Sequence, residues 1–103
     1  MITVDSFTII INSEKATLED KIDLEASINN IVAEGGKQIF LDLGCTTYIP
    51  SELMGLLMWK KKELLEKGVH IKIIRITGIL KIIFDNAMLT DFFEINSQTL
   101  IVD

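Results

Sequence analysis

Short runs of β-branched, aromatic and other apolar residues along this chain give way to apolar residues recurring at a period of about 3.6, and each change marks an element. β-Branched and aromatic residues crowd the opening: Ile2-Thr3-Val4, a turn at Asp5-Ser6, then Phe7-Thr8-Ile9-Ile10-Ile11. Such residues suit a pleated, half-buried surface, so the opening predicts a β-hairpin or two short strands. Residues 13–21 are polar and read as a loop. Leu24, Ile28, Ile31 and Val32 then recur at helical spacing until Gly35-Gly36, which predicts a first helix over about 23–34.

The next segment, Ile39-Phe40-Leu41-Asp42-Leu43, is nearly continuous in apolar residues and bounded by glycine on both sides, as expected of a central strand buried on two faces. A second helix is predicted over 51–67, ended by Gly68, and it feeds a second buried strand over 71–76. A strand, helix, strand unit of this kind places its strands parallel. At about 100° per residue, Leu53, Met54, Leu57, Leu64 and Leu65 form the inward stripe of the second helix. Glu52, Gly55, Trp59, Lys62 and Glu66 fall on its far side. A third helix follows Gly78, with Ile79, Leu80, Ile83, Phe84, Ala87 and Met88 on its apolar stripe and Lys81, Asp85 and Asn86 facing out. Residues 92–95 and 100–102 supply a last short strand or two. The fold class is α/β: a mixed sheet with parallel central strands and helices packed mainly on one face.

At 103 residues the chain has room for one hydrophobic core, so a single domain over 1–103 is expected. Hydrophobic residues at 49% and charged residues at 24% are the balance of a folded protein. The formal net charge of -5 repels phosphate backbones and anionic lipid, which argues against nucleic acid as a partner. Lys60-Lys61-Lys62, flanked by Glu63 and Glu66, reads as a solvated helix face. Cys45 is the one cysteine and implies neither an internal disulfide nor a zinc site, which fits a reducing compartment. The opening residues lack a basic region followed by a long apolar stretch, and Lys72, Arg75 and Lys81 interrupt the most apolar segment. The expectation is a cytoplasmic protein without direct membrane insertion.

Gly-rich phosphate loops, nucleophile elbows, paired histidines and metal-ligand spacings are absent from the sequence, so neither an enzyme nor a cofactor or metal is expected. His70 reads as a strand-edge residue and Cys45 as an ordinary small side chain in the loop after a strand. The informative segment is Tyr48-Ile49-Pro50-Ser51-Glu52-Leu53-Met54-Gly55, where a loop at the carboxyl end of a buried strand enters a helix. In open α/β sheets function gathers at such ends. Two readings of the helix start are open: Ser51 as N-cap, or Pro50 as the first helical residue with Ser51 and Glu52 in the first turn.

The order of elements, the strand 39–43, the turn Thr47-Tyr48-Ile49-Pro50-Ser51, the helix through Leu56-Leu57 to Gly68, and Met88-Leu89-Thr90-Asp91-Phe92-Phe93-Glu94-Ile95 together resemble a STAS domain over nearly the whole chain. Within that family the resemblance is to bacterial anti-sigma-factor antagonists. It implies that Ser51 stands where a partner serine kinase phosphorylates the family's acceptor. Pro50, Glu52 and Leu53 replace the aspartate, second hydroxyl residue and glycine of that motif, so the motif is degenerate, while Gly55 retains a second family glycine. The resemblance therefore implies a non-enzymatic regulatory protein-binding module whose partner is an anti-sigma kinase. An accessory STAS subunit that binds the ATPase of an ABC-type transport system, and a degenerate STAS scaffold, fit the resemblance as alternatives. Tyr48, Pro50, Ser51, Glu52, Gly55 and the outward Trp59 are the expected partner-binding residues, tryptophan being over-represented where binding energy concentrates.

Overall fold

Four strands and three helices alternate in the computed structural model, which describes residues 1–101. Strands β1 (Ile2–Asp5) and β2 (Thr8–Ile11) form an antiparallel hairpin whose turn holds Ser6 at a positive φ of 53°. Helix α1 (Leu18–Ala33) leads to β3 (Gln38–Leu43), α2 (Ser51–Leu65) to β4 (His70–Ile76), and α3 (Gly78–Asn86) follows. The sheet order is β1-β2-β3-β4, with β2, β3 and β4 mutually parallel. Crossovers between parallel strands are right-handed with near uniformity, so two that advance the same way across a sheet lay both helices on one face. Accordingly α1 packs on α2, and both lie over the sheet.

Burial follows the pleat. Ile9, Ile11, Ile39, Leu41, Leu43, Ile71, Ile73 and Ile76 point under the helices and join Leu24, Ile28, Leu53, Leu57, Leu80 and Phe84 in one core cluster. Ile73 and Ile76 are three apart, a spacing that would turn them to opposite faces of a regular strand. A bulge opposite Leu41/Asp42 inserts Ile74 and restores both to the covered face. The strand β3 is central as expected, but helices cover only one of its faces. Phe40 on the other is half-buried, and Asp42 is shielded there by Arg75, whose Nη1 lies 3.3 Å from its Oδ2. Gly44 closes this corner: a Cβ there would come within about 3.0 Å of Asp42 Oδ1 and 2.8 Å of the Ile101 side chain.

Several boundaries differ from expectation. Helix α1 begins at Leu18, inside the polar stretch taken for a loop, because Thr17 and Asp20 form a reciprocal capping box. Asp20 N donates to Thr17 Oγ1 at 3.1 Å and Thr17 N donates to Asp20 Oδ2 at 3.0 Å. Leu65 is 54% exposed rather than core, since eight residues past Leu57 a helix has turned by about 80°. Lys60 instead lies on the inner face, only 6% exposed, and Lys61 is half-buried, so the lysine run is not a solvated face. On α3, Ile79 and Met88 are exposed; Met88 follows the helix end at a φ of 59°, which swings it out. Residues 92–95 form turns, not a strand: Phe93 N bonds to Leu89 O and Ile95 N to Thr90 O, while Phe93 packs edge-on against Phe84 with centroids 5.5 Å apart. Leu100 makes a single parallel bridge to Ile76, and the expected strand's Val102 lies outside the described residues. Among the described residues no helix is long and apolar enough to cross a membrane.

Two outcomes test this frame. Leu57, fully buried at the centre of α2, should lose on the order of 2–5 kcal/mol of stability on Leu57→Ala, measured by urea unfolding. Asp20 is also buried, and burial by itself would raise its pKa. The Met1 amine at 2.6 Å, the Thr17 N–H and the Ser13 hydroxyl outweigh that and hold it below the ordinary carboxylate value. A carboxyl lowered on folding stabilises the native state above its unfolded pKa and ceases to do so as pH falls through its folded pKa. Asp20→Asn should therefore cost about 1–3 kcal/mol at neutral pH, and the gap from wild type should close as the medium is acidified below the ordinary aspartate range.

Candidate functional site at the start of the second helix

The loop leaving β3 is tied down before it reaches α2. Thr46 is fully buried, its hydroxyl donating to Ser13 O at 2.9 Å and its carbonyl accepting from Thr77 Oγ1 at 2.8 Å. Thr47 N donates to Glu14 O at 2.7 Å, and Tyr48 O accepts from Ala16 N at 2.9 Å. These bonds stitch the loop to the β2–α1 connection on one side and to the start of α3 on the other. Satisfied backbone groups make it a fixed platform.

Pro50 is the N-cap of α2, with φ -71° and ψ 157°, and its carbonyl accepts from both Leu53 N and Met54 N at 3.0 Å. Ser51 is not the N-cap, and Pro50 sits just before the helix in extended conformation rather than as its first residue, but Ser51 and Glu52 do fill the first turn as the second reading had them. Pro50 has no side-chain acceptor, so α2 begins without a side-chain cap, whereas Thr17 and Thr77 cap α1 and α3. The Ser51 hydroxyl is exposed and donates to Glu52 Oε1 at 3.3 Å.

An open groove of about 400 Å³ runs between α2 and α3. Tyr48, Ser51 and Gly55 line it together with Met54 and Met58, and Ile83 and Ala87 of α3 form the opposite wall. Gly55 makes its floor shallow, since a Cβ added there would meet no heavy atom within 4 Å. The far end of α3 is pinned by Asp85, which accepts from Thr90 Oγ1 and from Lys81 Nζ; both bonds hold its carboxyl below the ordinary range. Glu52 and Trp59 do not line the groove. Glu52 stands beside Ser51, and Trp59, 58% exposed, occupies the next stretch of the outer face with the Lys60 ammonium 5.4 Å from its ring centroid.

Three of the six residues expected from the sequence thus share one groove, Pro50 sets its rim, and two flank it. Met58 went unnoticed in the sequence, and Met54, Ile83 and Ala87 were assigned to core stripes. The available signal was the width of the apolar arc on α3: Ile79, Ile82 and Ile83 exceed what Leu80 and Phe84 need to face the core. Cys45 is exposed in the same loop as a free thiol, and His70 is exposed at the first position of β4. Among the described residues no three His, Cys, Asp or Glu side chains gather as a metal site would require. No protein-family model and no curated protein matches the chain.

The outer face of α2 carries its own prediction. Gly55→Ala adds a methyl into open space on a helix and should raise stability by about 0.4–1 kcal/mol. Trp59→Ala should leave it within about 0.5 kcal/mol of wild type, as befits an exposed side chain. Urea unfolding of the two variants checks both, and a large loss in either would show that this face is packed.

Proposed function

We propose that this chain is a non-enzymatic regulatory module of the cytoplasm, similar to STAS-type anti-sigma-factor antagonists, that docks a protein partner on the outer face of α2 and the groove beside it. The observation that carries this reading is the convergence of Tyr48, Ser51 and Gly55 on one apolar groove with Met54, Met58 and Ile83. Methionines adapt their shape to a contact surface, and tyrosine offers a rigid amphipathic one. Trp59 on α2 and Ile79 and Ile82 on α3 are also exposed apolar side chains, of the kind a docking surface presents. The mixed sheet with both crossover helices on one face supports the family reading.

Control lies in charge at Ser51. Its hydroxyl takes no part in capping and faces solvent at the groove mouth, which suits a phosphate acceptor. A phosphate there adds about -1.5 to -2 charges beside Glu52 and an apolar contact area. The helix N-terminus compensates part of that charge, so modification weakens docking more than it weakens the fold. The partner in this reading is an anti-sigma serine kinase.

Wild type, Ser51→Ala and Ser51→Asp are to be compared for thermal stability and for affinity to the partner retained from native lysate. Melting temperatures should agree within a few degrees, the range of a ~0.5 kcal/mol change in a domain of this size. Ser51→Asp should bind about tenfold more weakly and Ser51→Ala like wild type. Equal affinity in all three would reduce Ser51 to a helix-start residue. A transporter ATPase in place of a kinase would move the assignment to the transport branch.

A further inference from the structure

The lysine run of α2 divides three ways. Lys60 turns toward α1, donating to Asn29 Oδ1 at 3.1 Å, and Lys62 stays exposed. Lys61 turns under the chain, its side chain only 12% exposed. Its ammonium donates to Ile71 O of β4 at 3.0 Å and stands 5.9 Å from the ring centroids of both Phe92 and Phe93. A lysine has three donors. The nearest carboxylate among the described residues, Glu94, is at 3.6 Å, beyond hydrogen-bond length, on a side chain that is 65% exposed. A cation largely withdrawn from water is thus held by one backbone carbonyl and two aromatic rings.

Lys61 lines a second groove of about 360 Å³ together with Lys62, Leu65, His70, Phe92 and Glu94. That volume lies within the range of small-molecule sites. Leu65 and Phe92 supply apolar walls, and two lysines against one carboxylate make the groove locally positive in a chain of net charge -5. Glu94 reaches Lys61 from a backbone at φ 57°, a left-handed conformation uncommon for a residue with a side chain. The Glu94 side chain is 65% exposed and its oxygen lies beyond hydrogen-bond length of Lys61, so an incoming carboxylate can displace it.

We propose that this groove binds a small organic anion with a flat apolar body: the body between Leu65 and Phe92, the anionic group on Lys61 and Lys62 in place of Glu94. The site lies at the opposite end of α2 from Ser51 and is independent of the docking reading. The test uses the full chain, labelled with ¹⁵N, titrated at fixed pH and salt with 2-naphthoate and with its neutral analogue 2-naphthamide. Naphthoate should shift the backbone amides of Leu65, His70, Phe92 and Glu94 saturably, with a Kd on the order of 1 mM, as expected of a ligand this small. The amide should bind about tenfold more weakly, having lost a charge-assisted bond. Glu94→Gln should tighten naphthoate about threefold and Lys62→Gln should weaken it about threefold. Both positions are exposed, so spectra elsewhere should stay unchanged. Lys61 is kept intact because its ammonium bonds to Ile71 O and lies near both rings, so its removal would also disturb the packing there. Equal affinity for the two probes, shifts centred on Tyr48 and Met58 instead, or weaker binding by Glu94→Gln would each overturn the proposal.

Discussion

Two crossovers of the same hand, β2–α1–β3 and β3–α2–β4, lay their helices on one face of the sheet, and the rest of the surface follows from that placement. With α1 packed against one flank of α2 and α3 lying along the other, α2 becomes the ridge of the helical layer. Its inner arc of Leu53, Leu57 and Leu64 is fixed in the core. Its outer arc stays largely uncovered among the described residues: Ser51, Gly55, Lys62 and Leu65 are exposed, and Met58 is half-buried. Both grooves arise on this ridge, one beside its first turns and one beside its last.

The two ends of α2 differ in chemistry because different elements meet them. At its start the helix is approached by a loop held through Thr46 and Thr47, and by the Ile83–Ala87 wall of α3. That end is apolar, shallow and marked by an exposed serine hydroxyl that takes no part in capping. At its finish the helix overlies β4 and the 92–95 turn, where Phe92 and Phe93 enclose Lys61. There the helix C-terminus, favourable to cations, meets aromatic rings whose faces also attract them.

Much of the frame was legible in the sequence. Runs of β-branched and aromatic residues located β1 and β2, short apolar runs located β3 and β4, glycines located the ends of α1 and α2, and the 39–43 and 71–76 segments were parallel neighbours as the β-α-β pattern requires. The start of α1 was hidden because Thr17 and Asp20 are polar and resemble loop residues until their reciprocal bonds are seen. The 92–95 segment misled for the converse reason: Phe93 is apolar because it fills the space beside Phe84, and an apolar run contains no record of which partner it fills. Of the candidate site, the turn and the outward face of Trp59 could be read, since both depend on local geometry and helical phase. Met58, Ile83 and Ala87 could not, because a groove needs two elements at a known separation.

The sequence by itself determined the α/β class, the parallel pairing, the inward phase of α2 and the position of Ser51 at a strand-to-helix junction, all of which follow from short-range periodicity and backbone stereochemistry. Tertiary structure alone decided where the three lysines point. In sequence they are identical neighbours, but on a helix each is turned by about 100° from the last. One therefore meets α1, one meets β4 and two aromatic rings, and one meets solvent. Burial and partner are properties of what lies opposite a side chain, and only the packed chain puts anything there.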